Sequence, residues 1–221
     1  MKTFLFDFDG TLVDSMPTFV SAMLRILDEH KIPYGDDIVK IITPLGIPGT
    51  AEYFIQMGLD RPKDDIIAMM KDYMQQGYFY EIQPKEYVVD ALKYLKKQGA
   101  ELNVLTASPH FTLDACLRRL ELFDIFDNVW SCDDFNTSKA DPEIYKMVAD
   151  RLGKKVEEIL FLDDNLGADQ TAKKAGMMVC GVYDPTSEDY VQQIKDATDY
   201  YIYDFRELTA IFDESEEGLI S

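Results

Sequence analysis

The apolar positions of this chain change rhythm along its length. Near the start, Phe4-Leu5-Phe6 is an unbroken apolar run, the pattern of a strand buried on both faces. From Pro17 to His30 the period is helical, with Phe19, Val20, Met23, Leu24, Ile26 and Leu27 on one side. The same period returns over Pro48–Met57 and Pro62–Tyr80, and again over Glu86–Gln98, where Gly99 supplies the stop. Beyond Gly99, short apolar runs alternate with helical stretches. Strands are predicted over 101–106, 128–131, 159–163, 178–182 and 199–203, and helices over 110–121, 141–152, 168–175 and 187–196. That alternation predicts an α/β fold, a Rossmann-like parallel sheet with helices on both faces. The interval between the first two strands is too long for a loop and is helical in character. Residues 15–83 are therefore expected to be an inserted all-helical domain, and 1–14 with 84–221 the core. Within the insertion, Pro44–Thr50 reads as an interhelical turn, with a specificity loop as the alternative. Tyr78–Tyr80 reads as core packing, with stacking on a substrate as the alternative. The acidic stretch Asp213–Ser221 is expected to fray.

Composition narrows the field. The 221 residues are 47% hydrophobic and 29% charged, enough to bury a sizeable core. A formal net charge of -19 argues against a nucleic-acid or anionic-membrane surface. It also means that an anionic substrate would need a local cation to receive it. Cys116, Cys132 and Cys180 show no paired spacing and read as buried thiols of a cytoplasmic protein. Asp7 and Asp9 interrupt any signal-peptide core, and no apolar run is long enough for a membrane span. A monomer is expected, with a homodimer as the alternative.

The candidate chemistry sits at the predicted strand ends, where such sheets bind ligands. The first strand delivers Asp7 and Asp9, two residues apart, ahead of Gly10. The second ends in Thr106-Ala107-Ser108, and Pro109 then opens a helix whose free amides suit an anion. An ordinary Ser cap is the alternative there. Lys139 precedes another helix; on its own it would read as a solvated charge. A later strand ends in Asp163-Asp164-Asn165, followed by Asp169. If these strands are neighbours, Asp7, Asp9, Asp163 and Asp164 share a small space. Like charges about 4 Å apart repel by roughly 4 kcal/mol at an effective dielectric near 20. Lys139 offsets only one of them. A divalent cation with hard oxygen ligands would offset more, and Mg²⁺ suits that donor set.

These residues resemble the motifs of the haloacid dehalogenase-like superfamily of phosphohydrolases. Asp7-Phe8-Asp9-Gly10-Thr11-Leu12-Val13-Asp14-Ser15 is similar to its first motif, Asp-x-Asp-Gly-Thr/Val-Leu-x-Asp-Ser/Thr. Thr106 resembles the second motif and Lys139 the third, although the usual Lys-Pro-x-Pro reads Lys139-Ala140-Asp141-Pro142. That departure is expected to alter only a local turn. Asp163-Asp164-Asn165, with Ala172 and Ala175-Gly176-Met177 beyond, is similar to the fourth. The order holds over about residues 1–185. The helical insertion resembles the small cap of the phosphoglycolate phosphatase and β-phosphoglucomutase group.

The resemblance implies roles. Asp7 would attack phosphorus and form an aspartyl-phosphate. Asp9 would act as general acid and then general base. Asp7, the Asp9 carbonyl, Asp163 and Asp164 would hold Mg²⁺, with Asp163 acting directly or through water. Thr106 and Lys139, helped by Ser108 and the Ala107 amide, would hold the phosphoryl oxygens. Asn165 and Asp169 would orient the metal ligands from behind; the alternative makes Asn165 a helix cap and Asp169 an exposed acid. His110 reads as a capped surface residue, with substrate contact as the alternative. The implied activity is Mg²⁺-dependent hydrolysis of a small phosphorylated metabolite. A phosphomutase is the runner-up, but that subgroup places a His and a basic pair early in its cap. Met16–Leu27 holds only Arg25. Carbon–halogen hydrolysis would need neither Asp9 nor a metal, a phospho-receiver domain would be far shorter, and a binding module would not need Asp7.

Overall fold

The computed structural model describes residues 2–218. The chain divides into two compact units, Met1–Asp14 with Gln83–Ser221, and Ser15–Ile82. In chain order the elements are β1 (Thr3–Phe6), α1 (Met16–Glu29), α2 (Ile38–Ile42), α3 (Gly46–Gln56), α4 (Lys63–Tyr80), α5 (Val88–Lys97), β2 (Glu101–Thr106) and α6 (His110–Arg119). They continue with β3 (Asn128–Ser131), α7 (Glu143–Leu152), β4 (Ile159–Asp163), α8 (Leu166–Ala175), β5 (Met178–Val182), α9 (Val191–Ala197), β6 (Tyr200–Ile202) and α10 (Phe205–Glu216).

The helical unit closes on its own core, in which Ile26 and Leu27 of α1 pack with Phe54 of α3 and Ile66 and Met70 of α4. Tyr78 is buried against Phe19, with ring centroids 5.6 Å apart, while Tyr80 is exposed. The stretch 44–50 is neither loop nor plain turn. A 3-10 turn over Thr43–Leu45 runs into α3, and Gly46, at φ 61°, makes the change of direction between them. Helix α2 has only five residues, too few for an apolar period to register.

The other unit is an α/β layer structure. Its six strands are ordered β3-β2-β1-β4-β5-β6 and every pairing is parallel. Both faces are covered, which is why β1, β4 and β5 lack polar alternation; the polar Asn103 of β2 is buried and donates to the Phe4 carbonyl at 3.1 Å. On one face, Leu5, Leu105, Phe161 and Val179 pack with Ile144, Tyr145 and Val148 of α7 and Ala172 of α8. On the other, Phe4 meets Phe212 at 6.1 Å and Phe6 meets Phe205 at 6.4 Å, both from α10. Burying such a side chain contributes about 1.5–3 kcal/mol. The same contacts correct the expectation of a frayed C-terminus. Phe212 is buried on the apolar stripe of α10, so the acidic turn after it stays helical through Glu216, and Asp213 accepts the Tyr94 hydroxyl at 2.6 Å. Residues 219–221 lie outside the described part. No helix among the described residues is long and apolar enough to cross a membrane. The thiols of Cys116, Cys132 and Cys180 are all free and buried.

Strand order reverses direction between β1 and β4, and doubly wound sheets bind ligands at such a switch point, beyond the carboxyl ends of the strands.

Candidate active site

Register places the acids. Phe6 pairs with Leu162, and the Asp7 amide donates to the Leu162 carbonyl at 2.8 Å. Asp7 and Asp163 therefore leave neighbouring strands side by side, and one carboxylate oxygen from each of Asp7, Asp163 and Asp164 lies within 4.8 Å of the others. The turn after β1 is shaped for this. Gly10 sits at φ +81°, and a Cβ on it would lie 2.7 Å from Asp164 Oδ2. The Thr11 hydroxyl donates to Asp164 Oδ1 at 3.1 Å.

Lys139 reaches into the same space. Its Nζ lies 2.5 Å from Asp7 Oδ1 and 2.6 Å from Asp163 Oδ2. The Ala140 departure leaves the turn intact because Asp141 organises it, accepting the Thr137 hydroxyl and the Glu143 amide, each at 3.0 Å. Tyr145 steadies the lysine from behind. Its hydroxyl lies 3.1 Å from the Lys139 carbonyl and 3.2 Å from that of Ala168. Sequence reasoning missed Tyr145; the available signal was a phenol on the buried face of α7, which needs a partner for its hydroxyl. Thr11 lies inside the first motif, and only the fold brings its hydroxyl to Asp164.

At the end of β2, the Thr106 hydroxyl accepts the Ser108 amide at 3.1 Å, and Ala107 is exposed in the turn. The Ser108 hydroxyl donates to Asp9 Oδ2 at 2.6 Å, so Ser108 touches the half-buried second aspartate. Asn165 is a helix cap, accepting the Gly167 and Ala168 amides at 2.9 and 3.2 Å. Its own amide donates to Asp163 Oδ1 at 2.8 Å. Asp169 is not exposed. It is fully buried in α8, and neither carboxylate oxygen has a hydrogen-bond partner among the described residues.

The charge balance is negative. Burial, ahead of its acidic neighbours, pushes the Asp7 carboxyl well above the usual range despite the opposing pull of Lys139. Burial also raises Asp169, and it raises Asp164 to about 7 with Asp163 as the next cause. Burial works against the Lys139 charge, but Asp163 and Asp7 together outweigh it and hold the ammonium well above its ordinary range. Hard oxygen donors, a surplus of buried carboxylate and the unpartnered Asp169 fit a small divalent cation. Asp7, Asp163 and Asp164 are the side chains placed to hold one.

A doubly wound parallel sheet with an aspartate–lysine centre at its switch point defines an α/β enzyme. Comparison narrows this further: the model of the haloacid dehalogenase-like hydrolases matches residues 1–176, and the chain belongs to that family. A phosphorylated carbohydrates phosphatase of Thermotoga maritima is 29% identical over 80% of this chain and 82% of its own. The pyrophosphatase PpaX of Bacillus velezensis is 30% identical over 80% and 81%. A solved HAD family hydrolase of Deinococcus radiodurans, with bound phosphate and sodium, aligns at TM-score 0.81 and 19% identity over 100% of this chain and 98% of that one. At that identity the likeness concerns the fold.

Proposed function

We propose that this hydrolase cleaves phosphate monoesters of small metabolites through a covalent phosphate on Asp7, in the cytoplasm. The observation that carries the reading is the placement of the Asp7 carboxylate, buried at the switch point among the acids with a lysine on one of its oxygens. The phosphatase names of the relatives support it, and the three buried free thiols support a reducing compartment.

In the first half-reaction, Asp7 attacks phosphorus, the bond to the leaving oxygen breaks, and Asp9 gives that oxygen its proton. In the second, Asp9 takes a proton from water, the hydroxide displaces Asp7, and inorganic phosphate leaves. Lys139, Thr106, Ser108 and the Ala107 amide hold the phosphoryl oxygens; Ser108 also orients Asp9 through its 2.6 Å hydrogen bond. Asp7, Asp163, Asp164 and the Asp9 carbonyl would hold Mg²⁺, which when bound supplies the positive charge that keeps the carboxylates ionised and offsets that of the phosphate. Asn165 fixes the main chain beside Asp163. The helical unit is assigned the cap's role of governing leaving-group choice. The test is hydrolysis of an aryl phosphate by wild type and by Asp7→Asn, with Mg²⁺ and with EDTA.

A further inference from the structure

His110 opens α6, directly after the turn that carries Thr106, Ala107 and Ser108. Its Nδ1 lies 2.9 Å from Asp114 Oδ1 on the same helix, and its Nε2 lies 2.8 Å from Asp134 Oδ2. Asp134 belongs to the 3-10 turn Cys132–Phe135 after β3, and its Oδ2 also accepts the Ser131 amide at 2.9 Å. A carboxylate only accepts, so both ring nitrogens must donate, and an imidazole that donates twice is cationic. Asp114 from α6 and Asp134 from the 3-10 turn are the charged groups that face it; their hydrogen bonds, Asp114 first, raise its pKa. With both N–H groups spent on protein carboxylates, His110 has no donor left for a substrate.

The bridge joins two connections. Thr106 at the end of β2 is the register partner of Ser131 at the end of β3. The end of β2 and the turn after it carry Thr106 and Ser108. The chain after β3 passes through the 3-10 turn, reverses at Asn136 in the left-handed region at φ 52°, and reaches Lys139. We infer that His110 is a positioning residue: as an imidazolium held between Asp114 and Asp134, it ties these two connections together and sets the spacing at which Thr106, Ser108 and Lys139 meet one phosphoryl group. The inference rests on reading those three as phosphate ligands. A neutral ring would lose one donor and turn a lone pair toward a carboxylate, so the tie would open as pH rises through the titration of His110.

The chain has two histidines, so ring ¹⁵N spectra of the His30→Gln protein report on His110 alone. Both ring nitrogens are expected to be protonated at about pH 7; one bare nitrogen there overturns the inference. The second measurement is the affinity for inorganic phosphate, with Mg²⁺ present, from about pH 6 to 9 for wild type, His110→Gln and Asp134→Asn, together with the Tm of each. At the acid end both variants should bind phosphate about three- to tenfold more weakly, a modest effect because the imidazole is half-exposed. The wild type should converge on them as pH rises. Variants that lose Tm yet match the wild type for phosphate at every pH would make His110 merely structural and overturn the inference. A wild type that binds no phosphate would instead remove the ligand reading of Thr106 and Lys139, and this proposal with it.

Discussion

Replacing Lys139 with Met removes the cation from the buried acids while keeping an aliphatic stem. At 2.5 Å from Asp7 and 2.6 Å from Asp163, each attraction is about 6–7 kcal/mol at an effective dielectric near 20. Desolvation of three charges offsets most of that sum. Removing one partner of such a cluster nonetheless costs about 3–5 kcal/mol, because the remaining carboxylates are left buried and uncompensated. For a chain of this size that corresponds to a fall in Tm of about 6–20 °C. The pH dependence is the sharper signature. Lys139 is the influence that lowers the Asp7 pKa, so without it a carboxyl already raised by burial rises further. A carboxyl whose folded pKa lies above its unfolded value near 4 holds a proton in the folded state that the unfolded state has lost. Stability then falls as pH rises between the two values, by up to about 1.4 kcal/mol per pH unit for each proton. The penalty of Lys139→Met in metal-free protein should therefore be small at about pH 5 and large at about pH 8, and Mg²⁺ should recover part of it. Urea unfolding at both pH values, with and without Mg²⁺, measures this. A penalty below about 1 kcal/mol at the higher pH, or equal penalties at both, would refute the view that Lys139 neutralises Asp7 and Asp163.

Two further outcomes follow from the same geometry. Gly10→Ala places a Cβ 2.7 Å from Asp164 Oδ2 at φ +81°, so it should cost about 1–2 kcal/mol of stability and raise the Mg²⁺ concentration for half-maximal activity; an unchanged midpoint in a metal titration would contradict the account. Asp164 is raised to about 7, so it contributes a stability that is present below its unfolded pKa near 4 and lost as pH rises to about 7. Added Mg²⁺ should consequently raise Tm more at about pH 8 than at about pH 5, and the gain should be absent in Asp164→Asn.

Most of the α/β unit was legible because a parallel sheet covered on both faces writes its strands as continuous apolar runs. Ile159-Leu160-Phe161-Leu162 could hardly be anything else, and β2, β3, β4 and β5 begin and end where the pattern put them. Elements defined by something other than a long apolar period were harder. The five residues of α2 are too few, and the predicted helix over 187–196 is a 3-10 turn, Pro185–Tyr190, followed by α9. The last turn of α10 looks like a tail until Phe212 is seen to anchor it. For the site, residue type and order pointed to Asp7, Lys139, Asp163 and Asp164, because buried like charges make sense only with a cation. Contacts across the sheet were not legible. That the Ser108 hydroxyl meets Asp9, that Tyr145 reaches the Lys139 carbonyl, and that Asp169 points inward depend on register and helix rotation, which a single sequence leaves open. His110 illustrates the limit: the sequence places it beside the turn, but only the fold brings Asp134 to its other nitrogen.

The most direct test of the central claim is single-turnover reaction of the wild type and Asp7→Asn with a ³²P-labelled aryl phosphate in Mg²⁺, followed by acid quench. The account predicts Mg²⁺-dependent turnover and an acid-stable, hydroxylamine-labile phosphoprotein in the wild type, with both lost in Asp7→Asn. Undiminished turnover or labelling in the variant would contradict it, because the phosphate would then be reaching water without passing through Asp7.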